Sequence, residues 1–472
     1  MIGYQQDTVN RHRAFLIEFN ELCPTLLARF IAAGDLPYFA VLRNTSDVFT
    51  TDAGETGATL VPWIQWPSVH TGLPYAEHAI FHLGDATEAA FPTIASLLAE
   101  AGIPVGVFGG MNVPAPRTVR GFLLPDPWDK RGRTTPASLQ PYYDVVAEQV
   151  KESSHHGRLG LREVAKLGAF YARHGFRAST ALTIARQFAA ERIDPGLKWR
   201  RAALLDQVQY DVFRTYVREQ CVRFASFFSN STAHYQHLYW RNMEPALFAD
   251  PPNPGAHRSL REAIRYGYRS MDALIGRFFH DFPDATLIFA TALSQEPYTG
   301  PVVRYYRPTN FEALLAFLGV EGGSVAPVMS HQYHVDFAGE AEAANAEGAF
   351  RALAVDGQPV VDVRREGSGL FCGCHFLDPR VMERDVVDTR KGTRRRFAEL
   401  FFLMDGYRSG QHKADGALWI RTGGRGRVHW EPVSILSIAP TILALFGITP
   451  PSTMRGAVLP LDCLHEHAAI GV

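Results

Sequence analysis

Short apolar runs alternate with stretches of helical periodicity along this 472-residue chain. The run that starts at Ala14 (Ala-Phe-Leu-Ile) predicts a buried strand, and Thr25 to Ala33, followed by Gly34, predicts a helix with its stop. A second pair follows, with a helix predicted over Thr93–Ala101 and a strand over Val105–Phe108. Strands that alternate with helices favour a mostly parallel sheet sandwiched between helices. We therefore expect an α/β fold whose ligands bind beyond the carboxyl ends of the strands.

The pattern changes between residues 141 and 223, where Gly and Pro become sparse and helical spacing dominates. We predict that residues 141–223 form a helical insertion or a cap over the site. The α/β domain then comprises residues 1–140 and 224–472, and residues 300–375 are a candidate for a small subdomain. Within this second part, a long helix is predicted over Leu260–Phe279 and a strand over Ala285–Thr291.

Composition and charge exclude several classes of protein. The hydrophobic fraction of 46% and the charged fraction of 20% are typical of a globular domain. Lys and Arg total 47 against 48 Asp and Glu, a formal charge of −1 that indicates neither a nucleic-acid partner nor an anionic membrane. No apolar run reaches the roughly 18–20 residues of a membrane span, and the polar N-terminus does not resemble a secretory signal. Five scattered cysteines favour reduced thiols and hence a cytoplasmic protein. The oligomeric state is not indicated.

Four stretches, in the expected order, resemble the alkaline phosphatase superfamily and specifically its type I phosphodiesterase/nucleotide pyrophosphatase branch. They are Leu16–Leu42, Trp66–Phe81 (with Trp-Pro-Ser, Thr-Gly and His-Ala-Ile), His412–Gly416 (His-Lys-Ala-Asp-Gly) and Ile438–Gly456. The resemblance implies an alkaline phosphatase-like fold. It also implies two-zinc phosphoryl transfer, in which a Thr or Ser takes the phosphoryl group.

Most residues that would carry this chemistry are replaced. Asn20 matches the position of a metal-binding Asp, and Gln65 matches the nucleophile. The loop Ala292–Gln295 lacks both of the metal ligands that the family has there. His237 and His412 match retained ligands of one metal site. We therefore expect neither a covalent phospho-enzyme nor a complete two-metal centre.

A single divalent ion, zinc, is one interpretation of the remaining histidines. His234 and His237 lie about one helical turn apart, and with His412 they would form a three-histidine set. The alternative, which we favour at this point, is that no metal binds and that these histidines hydrogen-bond ligand atoms or backbone groups.

The altered positions still carry polar and aromatic side chains. Glu21, His237 and His412 are the catalytic candidates, since a carboxylate and an imidazole can act as general base and acid without a metal. Amides, imidazoles and aromatic rings are also suited to recognising a sugar or nucleotide. The candidates for substrate binding are Asn20, Gln65, Trp66, His70, Ser294 and Gln295.

These observations favour a divergent phosphodiesterase- or nucleotide pyrophosphatase-like enzyme. Its substrate would be a small phosphate-, pyrophosphate- or glycosyl-phosphate-containing molecule, such as a nucleotide sugar, and it would act as a hydrolase or a group transferase. One alternative is a non-catalytic ligand-binding pseudoenzyme. Another is an ordinary zinc phosphodiesterase that uses carboxylates such as Asp47, Asp52 or Asp85.

Overall fold

The computed structural model describes residues 12–152, 161–174, 177–249, 256–328, 331–404 and 408–464. The strands are β1 (Ala14–Phe19), β2 (Asp47–Asp52), β3 (Val105–Phe108), β4 (Gly121–Leu124), β5 (Phe224–Ser229), β6 (Thr286–Ala290), β7 (Ser294–Pro297), β8 (Arg304–Pro308), β9 (Ser324–Pro327), β10 (Tyr333–Asp336), β11 (Leu353–Val355), β12 (Gln358–Pro359), β13 (Asp362–Glu366), β14 (Gly369–Phe376), β15 (Asp385–Asp388), β16 (Thr393–Arg396), β17 (Phe401–Leu403), β18 (Gly410–Lys413), β19 (Asp415–Arg421) and β20 (Val433–Ser434). The helices are α1 (Pro24–Ala32), α2 (Pro37–Asn44), α3 (Pro62–Thr71), α4 (Tyr75–His78), α5 (Ile94–Glu100), α6 (Gln140–Glu152), α7 (Leu161–His174), α8 (Ala178–Ile193), α9 (Arg201–Glu219), α10 (Ser231–Met243), α11 (Ala263–Asp281), α12 (Phe311–Leu318), α13 (Glu340–Arg351), α14 (Phe397–Leu400) and α15 (Ile438–Leu445).

The chain divides into two compact units. Unit 1 comprises the described residues of Met1–Ala147, Leu159–Pro297 and Ser409–Val472, and unit 2 those of Glu148–Arg158 and Tyr298–Arg408. The subdomain predicted at 300–375 falls within unit 2, which the structure extends to Arg408.

Unit 1 is built on an eight-stranded sheet with the order β20-β2-β19-β6-β1-β5-β3-β4. β19 runs antiparallel to both of its neighbours, and the other neighbouring pairs are parallel. Side chains of β1 alternate between two hydrophobic cores, with Phe15 and Ile17 on one face and Ala14 and Leu16 on the other. Helices cover both faces, which confirms the predicted α/β class with a mostly parallel sheet between helices.

The segment predicted as a helical insertion carries α6 to α9. Phe213 of α9 is fully buried, and its ring lies 6.0 Å from that of Phe15 and 5.6 Å from that of Phe278 on α11. Helix α9 therefore contributes to the core on one face of the sheet. The boundaries at 141 and 223 and the role of a cap remain predictions.

Unit 2 has its own core between small sheets and the helices α12 and α13. Its larger sheet has the order β17-β8-β14-β10-β9, with β13 also paired to β14, and a second sheet has the order β12-β11-β15-β16. Tyr306, Leu370 and Phe397 are buried in this core. Cys372 and Cys374 of β14 are also fully buried there, as free thiols.

Among the described residues, no single helix has the length and apolar character needed to cross a membrane. The helices α1 and α2, which are bent by 109° relative to each other, pass the same test only as a pair.

Candidate functional site

The carboxyl end of the central strand β1 places Glu21 at the centre of a polar cluster. Beyond Phe19, the backbone N–H of Asn20 donates to the carbonyl of Ser229 (3.0 Å), and that of Glu21 donates to the carbonyl of Thr291 (3.4 Å). Glu21 then adopts a left-handed conformation with φ of +59°. A non-glycine residue in this region typically costs about 1–2 kcal/mol. The neighbouring strands β5 and β6 thus hold Glu21 in a conformation that an isolated strand would not adopt.

The carboxylate of Glu21 is shared by two imidazoles. Its Oε2 lies 3.0 Å from Nε2 of His237 and 3.4 Å from Nε2 of His412. The side chain of Glu21 is only 2% exposed, whereas those of His412 and His237 are 10% and 22% exposed. Solvent therefore reaches this buried carboxylate most readily from the side of His237.

Two elements of unit 1 bring the histidines together. His237 lies on α10, where Ser409 N–H donates to its backbone carbonyl (2.7 Å) and its Nδ1 faces the carbonyl of Gly410 (3.3 Å). His412 lies on β18, which pairs with β7 in a register that sets it opposite Gln295. The two imidazole rings are 5.1 Å apart and nearly perpendicular, at 79°.

Electrostatics keep the carboxylate ionised. Burial by itself raises the pKa of Glu21, but the charges and hydrogen bonds of His412 and His237 outweigh burial and hold the pKa well below its ordinary value. Amide donors add to this effect, since Asn20 Nδ2 donates to Oε1 (2.7 Å) and Gln295 Nε2 donates to Oε2. At neutral pH the site therefore presents a negative charge to any cation or proton between the two imidazoles.

The donor set fits one divalent ion. Ligand atoms of Glu21, His237 and His412 all lie within 4.8 Å of one another. A carbonyl can only accept, so the bond to Gly410 places a proton on Nδ1 of His237 and directs Nε2 to the carboxylate. Nε2 of His412 is buried and lies 3.4 Å from Oε2 of Glu21, so it faces the same carboxylate as Nε2 of His237. Two imidazoles and a carboxylate that meet in this way form a familiar zinc ligand set.

The metal set predicted from the sequence needs one correction. His234 does not join His237 and His412, because its side chain points to the exposed side of α10. Glu21 takes the third place instead. The spacing along the chain carries little signal for this exchange, because it does not show that α10 leaves His234 exposed.

A second metal site does not fit the residues around this cluster. Leu293 is fully buried and apolar, and the hydroxyl of Ser294 donates to Asp415 Oδ1 (2.7 Å). The unused carboxylates also have other partners: Asp47 pairs with His429 (3.0 Å), and Asp52 and Asp85 accept from the nearby backbone N–H groups of Gly54 and His82.

Asn20 and Trp66 support the site rather than line it. Nδ2 of Asn20 donates to Glu21 and to Oδ1 of Asn230 (2.8 Å), and its Oδ1 accepts from Nε1 of Trp66 (2.8 Å). Asn20 and Trp66 are buried, so their polar atoms are committed within the protein. These hydrogen bonds hold the carboxylate in place, and substrate contact by Asn20 or Trp66 stays a prediction.

Gln65 and His70 of α3 have other partners as well. Gln65 is fully buried and its Nε2 donates to the carbonyl of Thr59 (2.9 Å), while its Oε1 has no partner among the described residues. His70 is paired with the buried Glu18 of β1, Nε2 to Oε1 at 2.8 Å. Neither side chain hydrogen-bonds Glu21 in the part of the chain that the structure describes. Gln295, in contrast, bridges Glu21 and the carbonyl of Ala233 (3.0 Å) and belongs to the site.

Ser68 and His78 form a buried pair that superficially resembles a nucleophile and its base. Ser68 Oγ lies 3.0 Å from His78 Nε2, but Ile80 N–H donates to His78 Nδ1 (3.1 Å). The neutral ring must then carry its proton on Nε2 and donate to Ser68. Burial also lowers the pKa of His78 to about 4. His78 is therefore a hydrogen-bond donor to Ser68, which has no base in this arrangement.

Sequence reasoning missed Gln236, which secures the turn at Glu21. Its Nε2 donates to the carbonyl of Glu21 (2.7 Å), and its Oε1 accepts from the hydroxyl of Tyr268 (2.5 Å). The same hydroxyl accepts from Cys23 N–H (2.7 Å), so one buried chain of hydrogen bonds joins both sides of the turn. The only signal in the sequence was the position of Gln236 next to His237.

The similarity of this chain to known proteins lies at the level of structure. No protein-family model matches the sequence. A comparison with curated proteins gives no match either. The chain is similar to a solved structure of alkaline phosphatase PafA (12% identity, TM-score 0.44, 95% of this chain and 98% of that one). It is also similar to phosphonoacetate hydrolase from Sinorhizobium meliloti (12%, 0.41, 92% and 96%) and to murine ectonucleotide pyrophosphatase/phosphodiesterase 5 (8%, 0.43, 94% and 98%).

Proposed function

We propose that this protein is an enzyme that acts on a small phosphate-, pyrophosphate- or glycosyl-phosphate-containing molecule, with Glu21, His237 and His412 as its reaction centre. The observation that carries this proposal is the buried carboxylate shared by two imidazoles at the carboxyl end of β1. A buried charge and a left-handed glutamate both reduce stability, and such features concentrate at functional sites. The carboxyl ends of parallel strands are also where α/β proteins bind their ligands.

The centre would hold one divalent ion, with zinc as the best match to the ligands. Glu21, His237 and His412 would be the protein ligands. The carbonyl of Gly410 would orient His237, and Asn20 and Gln295 would orient the carboxylate. A bound zinc ion supplies Lewis acidity toward a phosphoryl oxygen and lowers the pKa of a bound water.

The attacking group would be water or an acceptor hydroxyl. Gln65 has no nucleophilic oxygen that could form a phospho-enzyme, and its amide is already bonded to Thr59. The partly exposed ring of His237 marks the side from which a substrate reaches the centre. Hydrolysis and transfer to an acceptor differ only in which hydroxyl occupies this side.

Turnover assays on the purified chain test the proposal. The parent protein, with and without added zinc, is assayed on phosphodiesters, pyrophosphates and nucleotide sugars. Glu21→Gln keeps the shape of the side chain and removes its charge, so we expect kcat to fall by about 100-fold or more on the best substrate.

His234→Ala is the matched control, because His234 lies on the same helix one turn before His237 and is exposed. We expect it to retain activity within about twofold. Equal activity of Glu21→Gln and the parent would refute the assigned centre. Ligand binding without turnover on any substrate of the panel would favour the pseudoenzyme.

A further inference from the structure

A second concave site lies wholly within unit 2, on the side of its larger sheet that faces away from the core. The cavity measures about 630 Å³, and its lining includes Tyr305, His331, Gly373, His375 and Arg408. Nothing in the proposed reaction uses these residues. A volume of this size is within the range of sites for small organic ligands.

Strand alternation explains how the floor of this cavity forms. Cys372 and Cys374 of β14 point into the core of unit 2, so Gly373 and its alternate neighbours face the cavity. Gly373 keeps the floor open, because a Cβ at this position would lie 3.2 Å from the ring of His331. On the neighbouring strand β8, Tyr306 is in the core and Tyr305 lines the cavity.

Flat rings line this floor. The ring of Tyr305 lies against the imidazole of His331, with centroids 4.4 Å apart and planes at 33°. Phe371, on the same face of β14, has the ring of His334 at 4.9 Å and the guanidinium of Arg364 at 5.6 Å. Such surfaces favour a ligand with a planar ring, which can stack on them.

The lining carries more positive than negative charge. Arg351, Arg364 and Arg408 contribute to it, while Asp362 is the one carboxylate among the described lining residues. Arg351 and Arg364 also pair with carboxylates outside the lining, Glu347 (2.8 Å) and Glu366 (2.5 Å). Arg408 is exposed and makes no ion pair in the described part of the chain. Burial, together with the nearby charges of His375, Arg408 and Arg307, lowers the pKa of His331 to about 3. A concave surface with this balance attracts anions.

A buried arginine next to the cavity adds a charge that has no carboxylate partner among the described residues. Arg307 is fully buried on β8, and its Nη2 donates to the carbonyls of Val328 (2.6 Å) and Gln332 (3.3 Å). Its Nε and Nη1 have no hydrogen-bond partner among the described residues. Burial lowers the pKa of Arg307 to about 10, so it stays charged at neutral pH. Because Gln332 lines the cavity, an anion held there would offset an otherwise uncompensated buried charge.

We propose that this cavity of unit 2 binds a small organic phosphate that carries a planar ring, of the mononucleotide class. The arginines would bind the phosphate, and Tyr305 and Phe371 would contact the ring. The residues of this site belong to unit 2 and those of the Glu21 centre to unit 1, so the proposal does not depend on the activity proposed above.

Titration calorimetry on the full-length protein with AMP tests this site. We expect AMP to bind with a Kd below about 1 mM, and inorganic phosphate or adenosine alone to bind at least about tenfold more weakly. The double variant Arg364→Ala/Arg408→Ala should weaken AMP binding by about tenfold or more, and Tyr305→Ala should weaken it as well. Arg380→Ala is the control, since Arg380 is exposed in unit 2 and pairs with Asp378. It should leave the affinity within about twofold.

The variant Glu21→Gln distinguishes binding at the two sites. It alters the reaction centre and should leave AMP binding in unit 2 unchanged. Three results would overturn the proposal: no AMP binding by the parent up to about 5 mM, AMP binding that Glu21→Gln abolishes and the arginine variants leave intact, or binding of a single-stranded oligonucleotide without binding of AMP. None of these results decides whether the Glu21 centre turns over a substrate, which the turnover assays measure separately.

Discussion

At the scale of single residues, the hydrogen bonds of Asn20 explain why an amide stands at the end of β1, where the family resemblance implies a carboxylate. Its Nδ2 donates to both Glu21 and Asn230, and its Oδ1 accepts from Trp66. A carboxylate at this position has no proton to donate and would face the ionised Glu21 directly. The amide therefore lets Glu21 carry the charge of the site.

Asn20→Asp tests this role. We expect the variant to lose about 2–4 kcal/mol of unfolding free energy without metal, because a buried donor is lost and a second buried charge is introduced. Urea denaturation in the presence of a chelator measures the change, with Asn44→Asp at the end of α2 as a surface control. Unchanged stability of Asn20→Asp would show that the amide donors are not required.

How far the sequence could predict this site is clearest from Glu21, His237 and His412. The motifs and polar composition placed all three among the catalytic candidates, and the structure brings their side chains together. Their catalytic role remains a prediction. The exclusion of His234 and the support from Gln236 could not be foreseen, since both depend on how α10 is rotated against the turn at Glu21. The spacing of residues along the sequence does not show how α10 is rotated about its axis.

At the scale of elements, α9 and the start of α10 are joined through a buried acid. Asp206 of α9 is 3% exposed and accepts from the hydroxyl of Ser231, the first residue of α10. Burial raises the pKa of Asp206 to about 7, partly offset by the hydroxyls of Ser231 and Ser229. The folded state therefore favours the protonated acid.

This shift has a defined consequence for stability. The pKa in the folded state lies above the unfolded value of about 4, so the contribution of Asp206 is complete below pH 4 and is lost as pH rises to about 7. Asp206→Asn removes this dependence. We therefore compare the unfolding free energy of the variant with that of the parent at each pH. This difference should favour the variant by about 1–4 kcal/mol more at pH 8 than at pH 5. Urea denaturation at pH 5 and pH 8 measures this difference, and Asp284→Asn, at an exposed position, is the control. The same difference in unfolding free energy between variant and parent at both pH values would contradict the account.

At the scale of the whole molecule, the alternating pattern was sufficient to predict the α/β class but not the strands of unit 2. Residues 300–375 lacked a clear period because several of their strands are short and only partly buried, such as β9 and β13. β14, in contrast, pairs with β8 and β10 across residues distant in the sequence. Register between such strands is set by tertiary contacts that a local pattern does not reveal.

The separate core of unit 2 leads to a prediction about local stability. Phe350 of α13 is fully buried there, and Phe350→Ala should destabilise unit 2 by about 3–5 kcal/mol. Hydrogen exchange should become faster in β10 and β14, while β1 and β5 keep the protection of the parent. Faster exchange in all four strands would show that the two cores unfold together.

The most direct test of the central claim is the metal content of the purified chain and of its ligand variants. After dialysis against zinc and removal of the excess, mass spectrometry should find about one zinc ion per chain, sensitive to chelation. Glu21→Gln, His237→Ala and His412→Ala should each reduce zinc affinity by about tenfold or more, whereas His234→Ala should keep it. Two zinc ions per chain, or full retention of zinc in His412→Ala, would contradict a single centre at Glu21, His237 and His412.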